Sequence, residues 1–389
     1  MKNITLLGST GSIGVNALKV IKMHPDQFRV AALGAGRNME LLATQIQHFH
    51  PSVVAVQDEE TAHQLRRISP NMKSSEIFWG TKGFIELCAL QETDTVISAM
   101  MGAAGLVPTF EAIRAGKNVA LANKETMVMA GELVMAEAKK QGVSLLPIDS
   151  EHSAIFQSLQ GHSNEDVKRI ILTASGGPFR NFSLQQMAKV TPEDALNHPN
   201  WLMGAKITID SSTLMNKGLE AIEAKWLFNI RMDQIKILVH PQSIVHSMVE
   251  YLDGSTIAQL GVPDMMIPIA YALSYPRHLE NDLPPLDLGS LGTLSFEEPE
   301  LDKFKCLSLA LKAASTGGTM PTVLNAANEI AVSAFLSKKI GFLAIPDLIE
   351  RTMDNHTPSP TRDIEQVMDA DAWGRKTAKA LLNEMQIFQ

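Results

Sequence analysis

Residues 1–21 read MKNITLLGSTGSIGVNALKVI, and the fold turns on the Gly8-Ser-Thr-Gly11-Ser-Ile-Gly14 segment within them. Ile4 to Leu7 is an apolar run of strand length, while Ala17, Leu18, Val20 and Ile21 recur with the spacing of a helix that begins near Ser12. Strand, glycine turn and helix thus follow in the order of a dinucleotide-binding unit. In that setting Gly8 permits a tight turn, Gly11 lets the backbone approach a pyrophosphate, and Gly14 lets helix and strand pack closely. The helix N-terminus supplies N–H groups and a positive dipole. The spacing is G-x-x-G-x-x-G, not the commoner G-x-G-x-x-G, and a plain tight turn between strand and helix would use the same glycines.

The segment that follows narrows the reading. A second apolar run, Phe28 to Leu33, leads into Gly34-Ala-Gly36-Arg37-Asn38, about 20 residues beyond the glycines, where an NAD-binding fold places an acid for the ribose 2'-hydroxyl. Arg37 stands there, and a cation suits the 2'-phosphate of NADP; a solvated loop arginine is the alternative. Val53–Val56, Thr95–Ser98, Val119–Leu121 and Ser144–Pro147 are the next strand candidates, alternating with amphipathic helices, which predicts a parallel sheet covered on both faces. Met100 to Gly105 follows Thr95–Ser98, the fourth strand from the start of the chain, at the sheet's carboxyl edge, where open α/β sheets bind ligands.

The chain's 389 residues allow two or three domains, since a single core stops growing at about 250 to 300 residues. Hydrophobic residues are 45% and charged residues 20%, a globular balance, and the net charge of −8 argues against a nucleic-acid surface. With no apolar run of membrane length and no leader-like start, a cytoplasmic protein with no membrane partner is expected. Cys88 and Cys306 lack metal-type spacing and read as buried thiols. Residues 1–148 form the expected NADP-binding domain. Residues 149–280 form an expected α+β catalytic and metal-binding domain, with strands at Arg169–Thr173, Lys206–Ile209, Ile235–Val239 and Thr256–Gln259. NDLPPLDLGSLGTLSFEEPE at 281–300 reads as an extended linker, and 301–389 as a helical bundle.

Three segments of the middle region carry candidate chemistry. In Asp149-Ser150-Glu151-His152, an extended backbone would project both acids to one face. Such a pair suits a hard divalent ion, magnesium or manganese, although two acids exposed at a domain junction would look the same. From Asp210, cap-forming residues run into a helix through Trp226; Asn216, Lys217 and Glu220 share one face, either as a site or as an ion pair on a solvated face. Ser211 and Ser212 at that helix's N-terminus would offer an anion site. Ser175-Gly-Gly opens a loop of about 175–205 that ends His198-Pro-Asn-Trp201-Leu-Met203-Gly204, a candidate flap unless Trp201 is a core anchor. His240 and His246 read as structural, because their spacing along a strand fits no common metal site.

LGSTGSIG (7–14), LANKE (121–125), LPIDSEHSAIFQSL (146–159), ASGGPFR (174–180), HPNWLMG (198–204), NKGLE (216–220) and LNAANEIAV (324–332) together resemble the 1-deoxy-D-xylulose 5-phosphate reductoisomerases, in that family's order and over nearly the whole chain. Many relatives carry lysine where this chain has Arg37, which keeps the positive charge. The resemblance implies a homodimer with an N-terminal Rossmann-like sheet, a central α+β catalytic domain and a C-terminal helical bundle. It implies Asp149, Glu151 and Glu220 as ligands of Mg2+ or Mn2+, and Lys124 and Glu151 as catalytic groups near the reacting carbons. Ser150, Ser175, Ser211, Asn216, Lys217 and Glu220 would contact a sugar phosphate, with His198 and Trp201 on the closing flap. Thr10, Gly11, Ser12, Ile13, Gly36, Arg37, Asn38, Asn123, Glu125 and Gly204 would bind NADPH. The implied reaction rearranges the ketose phosphate to a branched aldehyde, by retro-aldol and aldol steps, and reduces it to 2-C-methyl-D-erythritol 4-phosphate of the non-mevalonate isoprenoid pathway. A plain NADP-dependent aldehyde or semialdehyde dehydrogenase explains the first domain but not three acids; a non-catalytic NADP sensor explains neither the phosphate-type loop nor the flap.

Overall fold

The structure is a computed structural model that describes residues 1–69, 76–197, 201 and 203–387. Along the first part of the chain run β1 (Lys2–Leu7), α1 (Ser12–Met23), β2 (Phe28–Gly34), α2 (Met39–Phe49), β3 (Val53–Val56), α3 (Glu59–Ile68), β4 (Ile77–Trp79), α4 (Gly80–Cys88), β5 (Thr95–Ser98), α5 (Leu106–Arg114), β6 (Asn118–Leu121), α6 (Lys124–Gln141) and β7 (Leu145–Pro147). There follow α7 (Ser150–Ser158), β8 (Val167–Ala174), α8 (Leu184–Met187), α9 (Pro192–Leu196), α10 (Ala205–Ser212), α11 (Met215–Leu227), β9 (Ile235–Val239), β10 (Val245–Tyr251) and β11 (Thr256–Leu260). The last helices are α12 (Met266–Ser274), α13 (Leu288–Leu291), α14 (Lys305–Thr316), α15 (Met320–Leu336), α16 (Ala344–Asp354) and α17 (Ile364–Ile387).

Contacts divide the chain into two compact units. The first comprises Met1–Thr126, Val134–Ser153 and Asp264–Leu283. Its sheet has seven strands in the order β4-β3-β2-β1-β5-β6-β7, every pair parallel. Strands buried on both faces read as continuous apolar runs, which is why Ile4, Leu6 and Leu7 or Val30 to Leu33 stand out in the sequence. The order reverses beside β1, and the turn after β1 lies at that topological switch point. Helix α12 packs on α1, β6 and β7 of this unit, and Lys2 Nζ donates to Leu273 O at 2.9 Å.

The second unit comprises Met127–Leu133, Ala154–Pro263 and Pro284–Gln389. Its sheet runs β11-β10-β8-β9, antiparallel except for the β8–β9 pair. One contiguous core joins that sheet to the C-terminal helices, from Ile170 and Leu172 through Leu219 and Ile222 to Leu307, Leu324 and Ile349. Part of α6 belongs here. The helix breaks at Ala130 (φ −139°), and a side chain at Gly131 would meet Trp226 Cδ1 at 2.2 Å, so the break lets α6 press on α11. Thr322 Oγ1 donates to Met129 O at 3.1 Å just before the break.

Four expectations change. Lys206–Ile209 is not a strand but part of α10; its alternating isoleucines mimic period two, yet Lys206 pairs with Asp210 one turn on at 2.7 Å. The three-residue strand β4 was too short to read, so Met100–Gly105 follows the fifth strand. The 281–300 stretch holds α13, capped by Asp287, and Glu297 exchanges backbone hydrogen bonds with Val239 at 2.8 and 2.9 Å. His240 precedes the strand that holds His246. Both cysteines are buried, and burial pushes the Cys88 thiol up to about 12 and that of Cys306 higher still.

Candidate active site

In the first unit the glycine turn has the geometry of a cofactor cradle. Gly8 lies at φ +86°, and a Cβ there would stand 2.3 Å from Ala99 O; a Cβ on Gly14 would stand 2.3 Å from Gly8 O. Strand, turn and helix are therefore in van der Waals contact through backbone alone. Gly11 caps α1 without a side-chain acceptor, so the first-turn N–H groups after Thr10, at Ser12 and Ile13, are the donors an anion would meet. Past β2, Gly36, Arg37 and Asn38 are exposed, and Asn38 Oδ1 accepts from Leu41 N at 3.1 Å to start α2. Asp58, capping α3, is held below the usual carboxylate range by hydrogen bonds from the Thr61 side chain and backbone, with a smaller contribution from the nearby Arg37 charge.

Asn123 pins the loop after β5. Its Oδ1 accepts from Thr126 N at 2.9 Å, capping α6, and its Nδ2 donates to Met100 O (2.7 Å), Gly102 O (3.0 Å) and Glu125 Oε2 (3.1 Å). The next residue, Lys124, opens α6, and its Nζ lies 2.7 Å from Asp149 Oδ2. The extended Asp149–Glu151 segment is corrected: the strand ends at Pro147 and α7 starts at Ser150. Glu151 thus sits in a helix's first turn, where the dipole favours a carboxylate, and Ser150 Oγ donates to its Oε2 at 2.6 Å. His152, buried, has Nδ1 3.8 Å from Asp149 Oδ2.

In the second unit, β8 ends at Ala174 and the chain turns through Gly176 (φ +83°) and Gly177 (φ +67°), with Ser175 Oγ accepting from Gly177 N at 3.3 Å. A side chain at Gly177 would meet Ser211 O at 2.8 Å, so this loop is seated on the end of α10. Ser211 and Ser212 therefore close a helix and do not begin one; the Asp-Ser-Ser-Thr run only imitates a cap, and the N-cap of α11 is Leu214 at φ +57°. In the first turns of α11, Asn216 Nδ2 donates to Glu220 Oε1 at 2.5 Å and Lys217 pairs with Glu220 Oε2. Lys217 is 2% exposed and Glu220 0%, which excludes an ion pair on a solvated face. Gly204 caps α10, and Trp201 lies 6.3 Å from His246, ring centre to ring centre. His198 lies outside the described residues. His240 is structural: Nδ1 donates to Ser295 O (2.8 Å), Nε2 accepts from Ile244 N (3.2 Å) and Val245 N (3.1 Å), and the ring stacks on Phe296. One contact had no sequence signal: Asn328 Nδ2 donates to Asp210 Oδ1 at 2.8 Å, across 118 residues of chain.

The residues fit the groups expected of them. The turn after β1 is a backbone cradle that a Cβ would fill, and the acids offer oxygen donors only, which suits Mg2+ or Mn2+ and not zinc. Fold and site define a nucleotide-dependent α/β oxidoreductase. Family models described as 1-deoxy-D-xylulose 5-phosphate reductoisomerase, its C-terminal domain, and DXP reductoisomerase C-terminal domain match residues 4–131, 145–228 and 260–377. The chain belongs to the 1-deoxy-D-xylulose 5-phosphate reductoisomerase family. It is 56% identical over 382 residues to the enzyme of that name from Citrifermentans bemidjiense, spanning 98% of this chain and 99% of the relative. To that from Chlorobium phaeobacteroides it is 55% identical over 383 residues, spanning 98% and 100%. The structure of the Zymomonas mobilis reductoisomerase in complex with NADPH is similar at a TM-score of 0.91 and 46% identity, over 98% of this chain and 99% of that one. A DOX-P reductoisomerase in complex with NADPH, fosmidomycin and magnesium is similar at 0.94 and 42%, over 99% of both chains.

Proposed function

We propose that Asp149, Glu151 and Glu220 hold a divalent ion, and that Lys124, Ser150, Ser175, Ser211, Asn216 and Lys217 bind substrate, in the family's reaction. That reaction is the NADPH- and metal-dependent conversion of 1-deoxy-D-xylulose 5-phosphate to 2-C-methyl-D-erythritol 4-phosphate. The observation that carries the assignment is the charge at two places: the Lys124–Asp149 pair beyond the ends of β6 and β7, and the buried Asn216-Lys217-Glu220 set. When bound, Mg2+ or Mn2+ supplies Lewis-acid polarisation of the carbonyl, and NADPH supplies the hydride. The chain's own residues do the positioning. Lys124 holds Asp149, the Ser150 hydroxyl orients Glu151, and Asn216 with Lys217 fixes Glu220. Ser175, Ser211, Asn216 and Lys217 grip the phosphate, whose binding energy serves to align carbons remote from it. Glu151 and Lys124 act beside those carbons as the catalytic groups.

NADPH is assigned to Thr10–Ile13, Gly36–Asn38, Asn123, Glu125 and Gly204, with Arg37 on the 2'-phosphate. Trp201 and His198 are assigned to the flap at about 175–205. A homodimer in the cytoplasm completes the reading; among the described residues no helix is long and apolar enough to cross a membrane. The division into 1–148, 149–280, a linker at 281–300 and 301–389 is retained as a functional one. A plain dehydrogenase is not favoured, since it gives Glu220 nothing to do. Deoxyxylulose phosphate with NADPH, with and without a divalent ion, tests the reading. NADPH consumption confined to the metal-containing assay, with the branched polyol phosphate as product, is expected. Metal-independent consumption, or an unbranched product, overturns it.

A further inference from the structure

We propose that Asn328 is a positioning residue for the phosphate-binding segments, acting through Asp210; this rests on the assignment of Ser175 and Ser211 to the substrate phosphate. Asp210 is 1% exposed and stands two residues before the last residue of α10, Ser212, where the helix dipole disfavours a negative charge. Among the described residues two donors reach its carboxylate: Lys206 Nζ at 2.7 Å and Asn328 Nδ2 at 2.8 Å. They do different things. The Lys206 bond runs within α10, one turn back, so it cannot fix the position of that helix. The Asn328 bond comes from α15, whose neighbouring Leu324, Ala327, Ala331 and Val332 lie in the core, and it ties the end of α10 to that scaffold.

Stability alone gives a poor account of this amide. Asn328 is wholly buried, its NH2 must face the Asp210 carboxylate, and its Oδ1 has no partner among the described residues. A buried amide left half satisfied gives back little of its desolvation cost. The residue it holds, however, is followed directly by Ser211. The main chain at Ser211–Ser212 touches Gly177 so closely that a methyl group there would stand 2.8 Å from Ser211 O and 3.0 Å from Ser212 Cα. Gly177 N in turn donates to Ser175 Oγ. A shift at the end of α10 therefore moves both serines, and Asn328 is the buried side-chain tie from α15 that opposes such a shift.

The experiment compares Asn328→Ala, the volume-filling Asn328→Leu, and the exchanged pair Asp210→Asn with Asn328→Asp, which rebuilds the hydrogen bond in the opposite sense. Inorganic phosphate is the probe, read as its inhibition constant against substrate and by direct titration, alongside KM, kcat, the NADPH dissociation constant and Tm. Asn328→Ala and Asn328→Leu should weaken phosphate binding and raise KM about tenfold, the size of one charge-assisted hydrogen bond. NADPH affinity should change less than phosphate affinity, since the glycine cradle lies in the other unit and only Gly204, at the far end of α10 from Asp210, belongs to this one. The exchanged pair should recover phosphate affinity, and it decides the matter if the single variants do not fold. Phosphate affinity unchanged in the folded single variants, or still weak in the folded exchanged pair, with Ser211→Ala weakening it, overturns the proposal. If Ser211→Ala also leaves phosphate binding unchanged, the pocket assignment itself fails and takes the proposal with it.

Discussion

Lys124 Nζ and Asp149 Oδ2 are 2.7 Å apart, and the two residues follow adjacent parallel strands, β6 and β7. The sheet itself brings them together at its carboxyl edge, where the backbone turns away and side chains are left to face a ligand. The lysine is 6% exposed, so the pair is largely desolvated and its charges matter more than on a surface. Lys124→Met removes the cation and should lower kcat/KM by at least about a hundredfold, on the order of the loss of a buried charge-assisted contact. NADPH should still bind. Retained turnover within about threefold would make Lys124 a counter-ion of Asp149 and nothing more.

The assignment of Arg37 to the cofactor's 2'-phosphate is open to test by charge reversal. The residue stands exposed beyond β2, where the ribose of a bound dinucleotide is met, and its charge is felt at Asp58. Arg37→Asp should raise KM for NADPH by about 10- to 100-fold, the equivalent of one hydrogen bond between charged groups, about 1.5–3 kcal/mol. KM for NADH should change little. Steady-state kinetics with both cofactors settles it, and an unchanged preference removes Arg37 from the 2'-phosphate.

The parallel sheet was legible because its strands are apolar throughout and its turns carry glycine, and both signals are local. Val53–Val56 and Thr95–Ser98 were read to the residue. What failed was equally local. Ile207 and Ile209 alternate as a strand would, yet α10 buries Ile209 and leaves Ile207 only half-buried, and a run of four residues is too short to tell the two periods apart. The cap-like Asp210-Ser-Ser-Thr lies at the wrong end of a helix because a left-handed Leu214, a residue with no preference for that conformation, restarts the chain. Lys217 and Glu220 were found by spacing, but not their burial, because periodicity along one helix does not say that every face of it is covered; α14, some 90 residues on, packs on the Gly218 face. Asn328 could not be found at all, since nothing in a largely apolar helix says which polar partners its two amides, Asn325 and Asn328, meet.

Gly14 tests the cradle. A Cβ at this position would stand 2.3 Å from Gly8 O, a backbone atom that cannot turn aside. Gly14→Ala should therefore cost stability by about 1–3 kcal/mol, as overpacking does, and NADPH titration should show the affinity falling with it. Gly36→Ala, whose Cβ would meet nothing within 4 Å, should leave Tm unchanged. Equal Tm for both variants would mean that the turn after β1 has slack.

His356 gives the fold a dependence on pH. It is half-buried between Thr319, whose Oγ1 lies 2.7 Å from its Nε2, and the ring of Trp373 at 4.7 Å, and burial lowers its pKa below the ordinary 6.5. A histidine with a lowered folded-state pKa binds protons more readily when unfolded, so stability rises with pH across this interval. Its contribution is present above 6.5 and is lost as pH falls through the lower, folded-state pKa. Thermal unfolding between about pH 5 and 8 should show Tm falling on the acid side, and less steeply in His356→Asn. Parallel curves for the two proteins would place the acid loss elsewhere.

In the proposed reading Glu220 has two tasks, partner of Lys217 and metal ligand, and one pair of variants separates them. It is 0% exposed, accepts from Asn216 Nδ2 at 2.5 Å, and pairs with Lys217, itself 2% exposed. Glu220→Gln keeps the shape and an acceptor while removing the charge. Stability should fall by about 1–3 kcal/mol, because the buried ammonium of Lys217 loses the negative charge beside it. The magnesium concentration for half-maximal activity should rise at least about tenfold, through loss of an anionic ligand. Adding Lys217→Met to Glu220→Gln removes the ammonium as well, and should return most of the lost stability while leaving metal dependence impaired and phosphate binding weaker still. Denaturant unfolding without metal reads the first effect, and magnesium titration of activity and of direct binding reads the second. If Glu220→Gln lost stability yet kept the wild-type magnesium requirement, Glu220 would serve Lys217 alone, and the ion would have to be held by the acids of the DSEH segment.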